Sequence, residues 1–293
     1  MNILVLDDGF KGNLNQSLGI AEAFPESRIE ILKVSLKGPY YRLFQRKGKS
    51  PFVSRLFALS CCIRAWSLGR RLLQFFCDGN IEIPREKSYV IVSAGSILAP
   101  VNLILSKNQE RAVSVNVMVP TSLPLKLFDF LVIPCHDYIK LQRKRLKNLI
   151  VTLGAPNRIT ETFISGEKKR IEKLLNFDNG KKNIGILIGG NDQNYRISLP
   201  LVKRLADILF SCDGKYSFLF TTSRRTETCV VNYLVKRLEK EKSVVYSEFP
   251  GYSDISYYPG ILGLCDCILV TEDSINMISE AARIQSHSPK IPG

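Results

Sequence analysis

Cys267-Ile-Leu-Val-Thr-Glu-Asp-Ser-Ile-Asn-Met-Ile-Ser-Glu-Ala-Ala282 is the stretch on which the reading of this chain turns. Cys267 to Thr271 is an apolar run of strand length, Glu272-Asp273-Ser274 is a polar turn, and Ile275 to Ala282 continues at helical spacing. Asp273 or Ser274 can cap that helix by accepting bonds from its first N–H groups. In an α/β sheet such a turn sets N–H groups and the positive end of a helix dipole at the carboxyl edge of the strands, where phosphate-bearing ligands settle. Taken alone, the segment fits an ordinary βα connection equally well. A second unit, Asn183-Ile-Gly-Ile-Leu-Ile-Gly-Gly190 followed by the polar loop Asn191 to Arg196, favours a ligand-binding edge.

The same alternation runs outward through the chain. Apolar runs predict strands at Ile3–Leu6, Arg28–Val34, Tyr89–Ser93, Ala112–Met118, Phe128–Ile133 and Leu149–Leu153. Most are continuously apolar, as suits strands buried on both faces of a parallel sheet. Helical spacing falls between them, as at Gln16–Phe24 and Ile97–Ser106. Beyond Gly154-Ala-Pro156 the chain turns polar and charged up to Lys182. A second series then follows: strands Ile184–Ile188, Ser217–Thr221, Val244–Tyr246 and Cys267–Thr271, with helices Leu199–Phe210, Glu227–Lys240, Pro259–Cys265 and Ser274–Arg283. The expectation is an α/β protein of two Rossmann-like domains, 1–156 and 183–293, joined by a linker over 157–182, with parallel sheets facing a cleft. Gln285 to Gly293 reads as coil, so the second domain is expected to be incomplete at its C-terminal end.

Composition narrows the class. A chain of 293 residues with 45% hydrophobic and 23% charged residues can build real cores. Charge is the exception: 41 Lys+Arg against 27 Asp+Glu leave +14. Between Ile31 and Cys77 stand ten Lys/Arg and no acid, which points to an anionic partner. The eight cysteines include no C-x-x-C and the histidines are only His136 and His287, so zinc is not expected and the thiols read as reduced. Met1 leads straight into a strand-like run without a signal-peptide pattern, and no uncharged apolar run approaches bilayer length, so a cytoplasmic location is expected.

Within the basic stretch, Phe52 to Phe76 is helical in pattern and apolar nearly all round, with a narrow stripe of Ser60, Arg64, Ser67 and Arg71. Such a helix packs inside a domain or lies among lipid headgroups. In the second case Lys37, Arg42, Arg46, Lys47 and Lys49 would touch anionic lipid, each contributing about 1 kcal/mol. Nucleic acid is not expected, because no helix-turn-helix or finger accompanies the charge.

The remaining polar motifs fall at strand ends. Asp7-Asp-Gly-Phe-Lys-Gly-Asn-Leu-Asn-Gln16 follows the first strand: Asn13, Asn15 and Gln16 supply amides, and Asp8 is a candidate general base. A plain polar turn with Asn15 as N-cap fits it too, and no G-x-G-x-x-G is present. Pro134-Cys-His-Asp137 offers His136 beside Asp137 as a proton-shuttling pair, or as a structural histidine. Thr221-Thr-Ser-Arg-Arg-Thr226 puts hydroxyls and two arginines at a strand-to-helix turn, suited to phosphate. No P-loop is present.

These motifs, Asn13-Leu-Asn-Gln16 with Gly19, Val151-Thr-Leu-Gly154, Ile188-Gly-Gly190, Thr222-Ser-Arg-Arg-Thr226 and Val270 to Glu280, come in the order found in the mitochondrial fission family named for elongated mitochondria. The chain resembles a bacterial member of that family over nearly its whole length, and the family is similar in turn to GT-B glycosyltransferases. The resemblance implies a nucleoside-diphosphate sugar as donor substrate, with no metal and no cofactor. It implies that backbone amides of Gly189 and Gly190 approach the diphosphate and that Ser223, Arg224, Arg225 and Thr226 neutralise it. Glu272, Asp273 and Ser274 would lie beneath the phosphates, and Glu280 on the ribose hydroxyls. Asp8, Asn13, Asn15 and Gln16 would face the acceptor. The chain departs from the family pattern at Cys135, where Arg precedes His-Asp, and at Glu227, where Pro follows the arginine run. Three functions follow as expectations: a glycosyltransferase-like protein at the cytoplasmic membrane face acting on an envelope or lipid-linked glycan, a non-catalytic membrane adaptor, and a nucleotide-sugar-binding module without turnover.

Overall fold

The computed structural model describes residues 1–38, 66–79, 81, 89–109, 111–121, 123–139, 141–142, 146–175, 180–191, 195–212, 214–252 and 256–285. The chain divides into two compact units, Met1–Arg158 and Ile159–Gly293.

In the first unit, β1 (Asn2–Asp7), β2 (Arg28–Lys33), β3 (Val90–Ala94), β4 (Val113–Val117), β5 (Phe130–Pro134) and β6 (Leu149–Thr152) form one sheet. Its order is β2-β1-β3-β4-β5-β6 and every pairing is parallel. Among the described residues the α-helices are α1 (Lys11–Ala21), α2 (Trp66–Phe76), α3 (Ala99–Asn108) and a single turn, α4 (Cys135–Tyr138). Successive side chains leave a strand on opposite faces, and both faces are covered. Leu4, Leu6, Ile91, Leu131 and Ile133 meet Val101 and Leu105 of α3 together with Leu73 and Phe76 of α2. Ile3, Val5, Val92, Val115 and Val117 meet Leu18 and Ala21 of α1 on the other side. Each such side chain taken from water contributes about 1.5–3 kcal/mol.

Two local expectations change. Helix α1 starts at Lys11, not Gln16, so Asn15 lies inside the helix and caps nothing. The two aspartates turn the chain at once after β1: Asp7 Oδ1 accepts from Gly9 N at 2.8 Å and Asp8 Oδ1 from Phe10 N at 3.0 Å. The basic helix is one-sided where it is described. Leu73 and Phe76 are buried while Arg71, Gln74 and Phe75 are exposed, the i, i+3 pattern of a helix with one face in a core. Lys37 is tied down as well, its Nζ donating to the Gln74 carbonyl at 2.9 Å. Arg42, Arg46, Lys47, Lys49 and residues 52–65 of the helix expected over Phe52 to Phe76 lie outside the described residues.

In the second unit, β7 (Lys182–Ile188), β8 (Tyr216–Thr222), β9 (Val244–Glu248) and β10 (Cys267–Val270) form a parallel sheet of order β10-β7-β8-β9. Five helices accompany it among the described residues: α5 (Glu161–Glu172), α6 (Leu199–Phe210), α7 (Thr228–Leu238), α8 (Tyr258–Leu264) and α9 (Ile275–Gln285). Ile186, Ile188, Phe218 and Phe220 pack with α6 and α7 through Val202, Leu209, Val230 and Leu234. Leu187 and Ile268 pack with Leu262 of α8 and Met277 and Ala281 of α9 on the opposite face.

Much of the segment read as a linker, 157–182, is structured. Helix α5 occupies its middle, capped by Thr160, whose side chain accepts from Phe163 N at 3.2 Å. Its polar look comes from a thin apolar stripe: Ile171 is buried, and Phe163 and Ile164 pack on the second unit's core. Among the described residues no helix is long and apolar enough to cross a membrane.

Candidate functional site

Both strand orders contain a switch point, where the chain reverses its direction of travel across the sheet and the loops part. In the second unit it lies between β7 and β10. There the loop after β7 (Gly189–Asn191), the loop after β8 (Ser223–Thr226) and the turn after β10 (Thr271–Ser274) meet at one edge, because the three strands are adjacent and parallel.

Asp273 joins them. Its side chain is fully buried, with Oδ2 accepting from Gly190 N at 2.8 Å and from the Arg225 guanidinium at 3.1 Å, while Oδ1 accepts from Thr271 Oγ1 at 2.7 Å. A carboxylate can be buried only when donors replace its water, and three do so here. Gly189 N donates to Thr271 Oγ1 at 2.7 Å and Thr226 Oγ1 donates to the Gly189 carbonyl at 2.6 Å. Ser223 N donates to the Ile188 carbonyl at 2.8 Å, and Ser223 Oγ accepts from Arg225 N at 3.2 Å.

The glycines allow this approach. A Cβ on Gly189 would lie 2.0 Å from Asp273 Oδ1, and one on Gly190 would lie 2.2 Å from the Arg225 backbone carbon. This alters one expected role. The amides of Gly189 and Gly190 are spent on Thr271 and Asp273, so the Gly-Gly pair closes the loops against each other instead of presenting its N–H groups to a diphosphate. Arg225 is half-exposed with its guanidinium oriented by Asp273, whereas Arg224 and Glu272 are exposed. Ser274 is partly buried and its carbonyl accepts the first i, i+4 bond of α9, from Ile278 N at 3.0 Å. The arginine corner and the amino end of α9 therefore meet.

Glu280 lies in the second turn of α9, buried, with Oε2 accepting from the Tyr258 phenol at 2.7 Å. Burial raises its pKa to about 7, against the opposing pull of that bond. No sequence pattern marks Tyr258, and none assigns a role to Thr271 or to Asn191, whose Oδ1 accepts from Ile197 N at 2.8 Å at the start of the polar loop after β7. For Thr271 a hydroxyl closing a strand two residues before the turn's aspartate was the available signal.

At the first unit's carboxyl edge the groups stay apart. Asp8 Oδ2 accepts from Asn13 Nδ2 at 2.7 Å, and burial raises the Asp8 pKa despite the bonds from Asn13 and Phe10. Gln16 is buried and Asn15 partly so. His136 Nε2 and Asp137 Oδ2 are 3.6 Å apart in α4. Asp8 follows β1 and the His136–Asp137 pair follows β5, three strand spacings apart, or about 14 Å. The three do not assemble into one catalytic group. Between them runs a buried polar chain: Asn102 Nδ2 donates to Ser93 Oγ at 2.9 Å, Ser93 Oγ to Asn116 Oδ1 at 2.7 Å, and Asn116 Nδ2 to the Met118 carbonyl at 3.0 Å. It holds Met118 at a positive φ of 66° where β4 ends. Among the described residues no group of three or more His, Cys, Asp or Glu could hold a metal ion.

Residues 11–286 match the family described as Mitochondrial fission ELM1. The chain belongs to the mitochondrial fission ELM1 family. A relative in that range is the uncharacterized protein RP120 of Rickettsia prowazekii, 24% identical over 311 residues, covering 96% of this chain and 80% of its own. Among solved structures, the UDP-GlcNAc 2-epimerase of Methanocaldococcus jannaschii matches with a TM-score of 0.53 at 13% identity, over 97% of this chain and 82% of that one. The S. aureus MnaA–UDP co-structure matches at 0.52 and 13%, over 97% and 76%. These likenesses establish the fold, an ELM1-family chain of two Rossmann-like units of the GT-B kind.

Proposed function

We propose that this ELM1-family chain binds a nucleoside-diphosphate sugar at the carboxyl edge of its second sheet and acts as a glycosyltransferase-like protein. The observation that carries the reading is the half-exposed Arg225 guanidinium, aimed by a buried Asp273 beside the amino end of α9. A fixed cation beside a helix's positive end is suited to a pyrophosphate, and switch points of this kind hold such ligands. The solved UDP complex of a protein with the same fold is consistent with it. In this reading Arg224 and Arg225 take the diphosphate, Ser274 lies under it, and Glu280 accepts bonds from the ribose hydroxyls. Arg225 and the helix dipole would then stabilise the diphosphate as it leaves.

The acceptor's base would be Asp8, whose burial favours a proton-accepting carboxyl, or the His136–Asp137 pair. An envelope or lipid-linked glycan at the cytoplasmic membrane face is the acceptor in this proposal, supported by the net charge of +14. Binding without turnover is the second reading, favoured by the local bonds in which each candidate base is already engaged, Asp8 with Asn13 and His136 with Asp137. Calorimetric titration with UDP, UDP-GlcNAc and other nucleoside-diphosphate sugars tests the first step. Micromolar binding that is lost in Arg225→Ala is expected, and no binding by any of them would remove the proposal. Release of free nucleoside diphosphate on adding acceptor glycans separates transfer from binding alone. Flotation with anionic liposomes tests the membrane placement, which binding unaffected by neutralising Lys37–Lys49 would exclude.

A further inference from the structure

Tyr258 opens α8 at the carboxyl edge of the second sheet. Its phenol is the hydrogen-bond partner of Glu280 among the described residues, donating to Oε2 at 2.7 Å and leaving Oε1 to accept from elsewhere. The tyrosine cannot drift. Helix α8 lies against α5 so closely that a Cβ on Gly260 would come within 2.8 Å of the Glu167 carbonyl, and one on Gly263 within 2.6 Å of Ile164 Cγ2. Tyr258 is thus fixed by backbone packing, and through it one carboxyl oxygen of a residue on a different helix.

We propose that Tyr258 is a positioning residue of the nucleotide site, its phenol holding Glu280 so that the second carboxyl oxygen meets the vicinal hydroxyls of a bound ribose. This rests on the nucleotide-sugar reading and goes beyond it by making affinity depend on the ionisation that Tyr258 sets. A carboxylate accepts from two hydroxyls, whereas a protonated carboxyl has lost part of that capacity. Burial raises the Glu280 pKa to about 7 and the Tyr258 bond works the other way. The phenol is itself held well above its ordinary range by burial, then by Glu280 and Glu248, so it remains a donor. Around the pair stand Glu248, at the end of β9, and the groups that bond it: the Tyr246 phenol, Ser256 Oγ and Tyr257 N. No cation bonds Glu280 among the described residues.

The test is calorimetric titration of the full chain with UDP-GlcNAc, whose doubly esterified diphosphate keeps its charge throughout, from about pH 5.5 to about pH 8.5, for the unaltered protein, Tyr258→Phe and Glu280→Gln. Unaltered protein should lose affinity as pH falls through about 7, by about tenfold per unit at most. Tyr258→Phe should move that midpoint upward by about one unit and regain most of the affinity at the alkaline end. Glu280→Gln should bind weakly with a flat profile. A Tyr258→Phe profile that overlies the unaltered one, or sits below it by the same factor at every pH, overturns the inference while leaving nucleotide binding intact. If the unaltered protein binds no UDP-GlcNAc at any pH, the parent reading fails and this one with it. Melting curves of each variant confirm that folded protein is being compared.

Discussion

The carboxyl edges of the two sheets make a useful contrast. At the second, Asp273 bonds Arg225 and Gly190, groups 48 and 83 residues away in sequence. At the first, Asp8 accepts from Phe10 and Asn13, two and five residues away, and His136 pairs with its own neighbour. One edge is a junction of loops that exists only when the sheet has formed. The other also has cross-strand bonds, from Ser93 to Asn116 and between Ser96 and Thr121, but its candidate acid–base groups sit in turns local to their own strand ends. Preorganisation for a ligand belongs to the first kind, because a buried carboxylate with three donors admits a single arrangement of the loops around it.

That contrast can be broken, beginning with its largest expected effect. Asp273→Ala leaves the Gly190 amide, the Thr271 hydroxyl and Arg225 without their acceptor and should cost about 3–4 kcal/mol, read by urea denaturation. A loss below about 1 kcal/mol would mean that the junction is no tighter than a surface pair. Glu280 probes the same edge through pH. Its folded pKa, about 7, lies above the ordinary 4.5, so the folded state holds the proton more tightly. Stability should therefore decline as pH rises between those values, by roughly 3 kcal/mol in all. Denaturation midpoints across that range should show the decline in the unaltered protein and its absence in Glu280→Gln.

Smaller effects sharpen the picture. Gly189→Ala drives a methyl into the Asp273 carboxylate and should cost about 2 kcal/mol. In combination with Asp273→Ala the two costs should fall short of their sum, since the methyl then enters vacated space. Arg225→Lys should leave stability within about 0.5 kcal/mol, because the cation is half in water and its charge is kept, and weaken UDP binding by about tenfold by losing the planar fork. Asp8→Asn should cost no more than about 0.5 kcal/mol by thermal melting, its bonds being local and partly exposed. A cost matching that of Asp273→Ala would erase the difference between the two edges.

Much of the fold could be read directly. Among the described residues all ten strands fall where apolar runs of strand length stand, and Leu199–Phe210 has the same limits in structure as in pattern. Helix α5 was missed because Glu161-Thr-Phe-Ile-Ser-Gly-Glu-Lys-Lys-Arg-Ile-Glu172 has too few apolar residues to declare a face, and what steadies it is the glycine surface of α8, nearly a hundred residues on. The start of α1 was misplaced for the opposite reason: two aspartates ended the turn sooner than the glycines and amides implied. Ser223, Arg225, Thr226 and Asp273 were legible as site candidates, being polar groups at strand ends, but their partners were not.

Residue order alone determined the alternation of strand and helix, the parallel sheets and the strand ends at which polar chemistry collects, because periodicity and burial are local consequences of side-chain type. Tertiary structure decided which of those ends touch. The Gly189–Gly190 amides went to Thr271 and Asp273, Glu280 went to Tyr258, and Asp8 stayed strands away from His136. Strand order, set by how the whole chain buries its apolar faces, fixes those distances, and no local pattern records it.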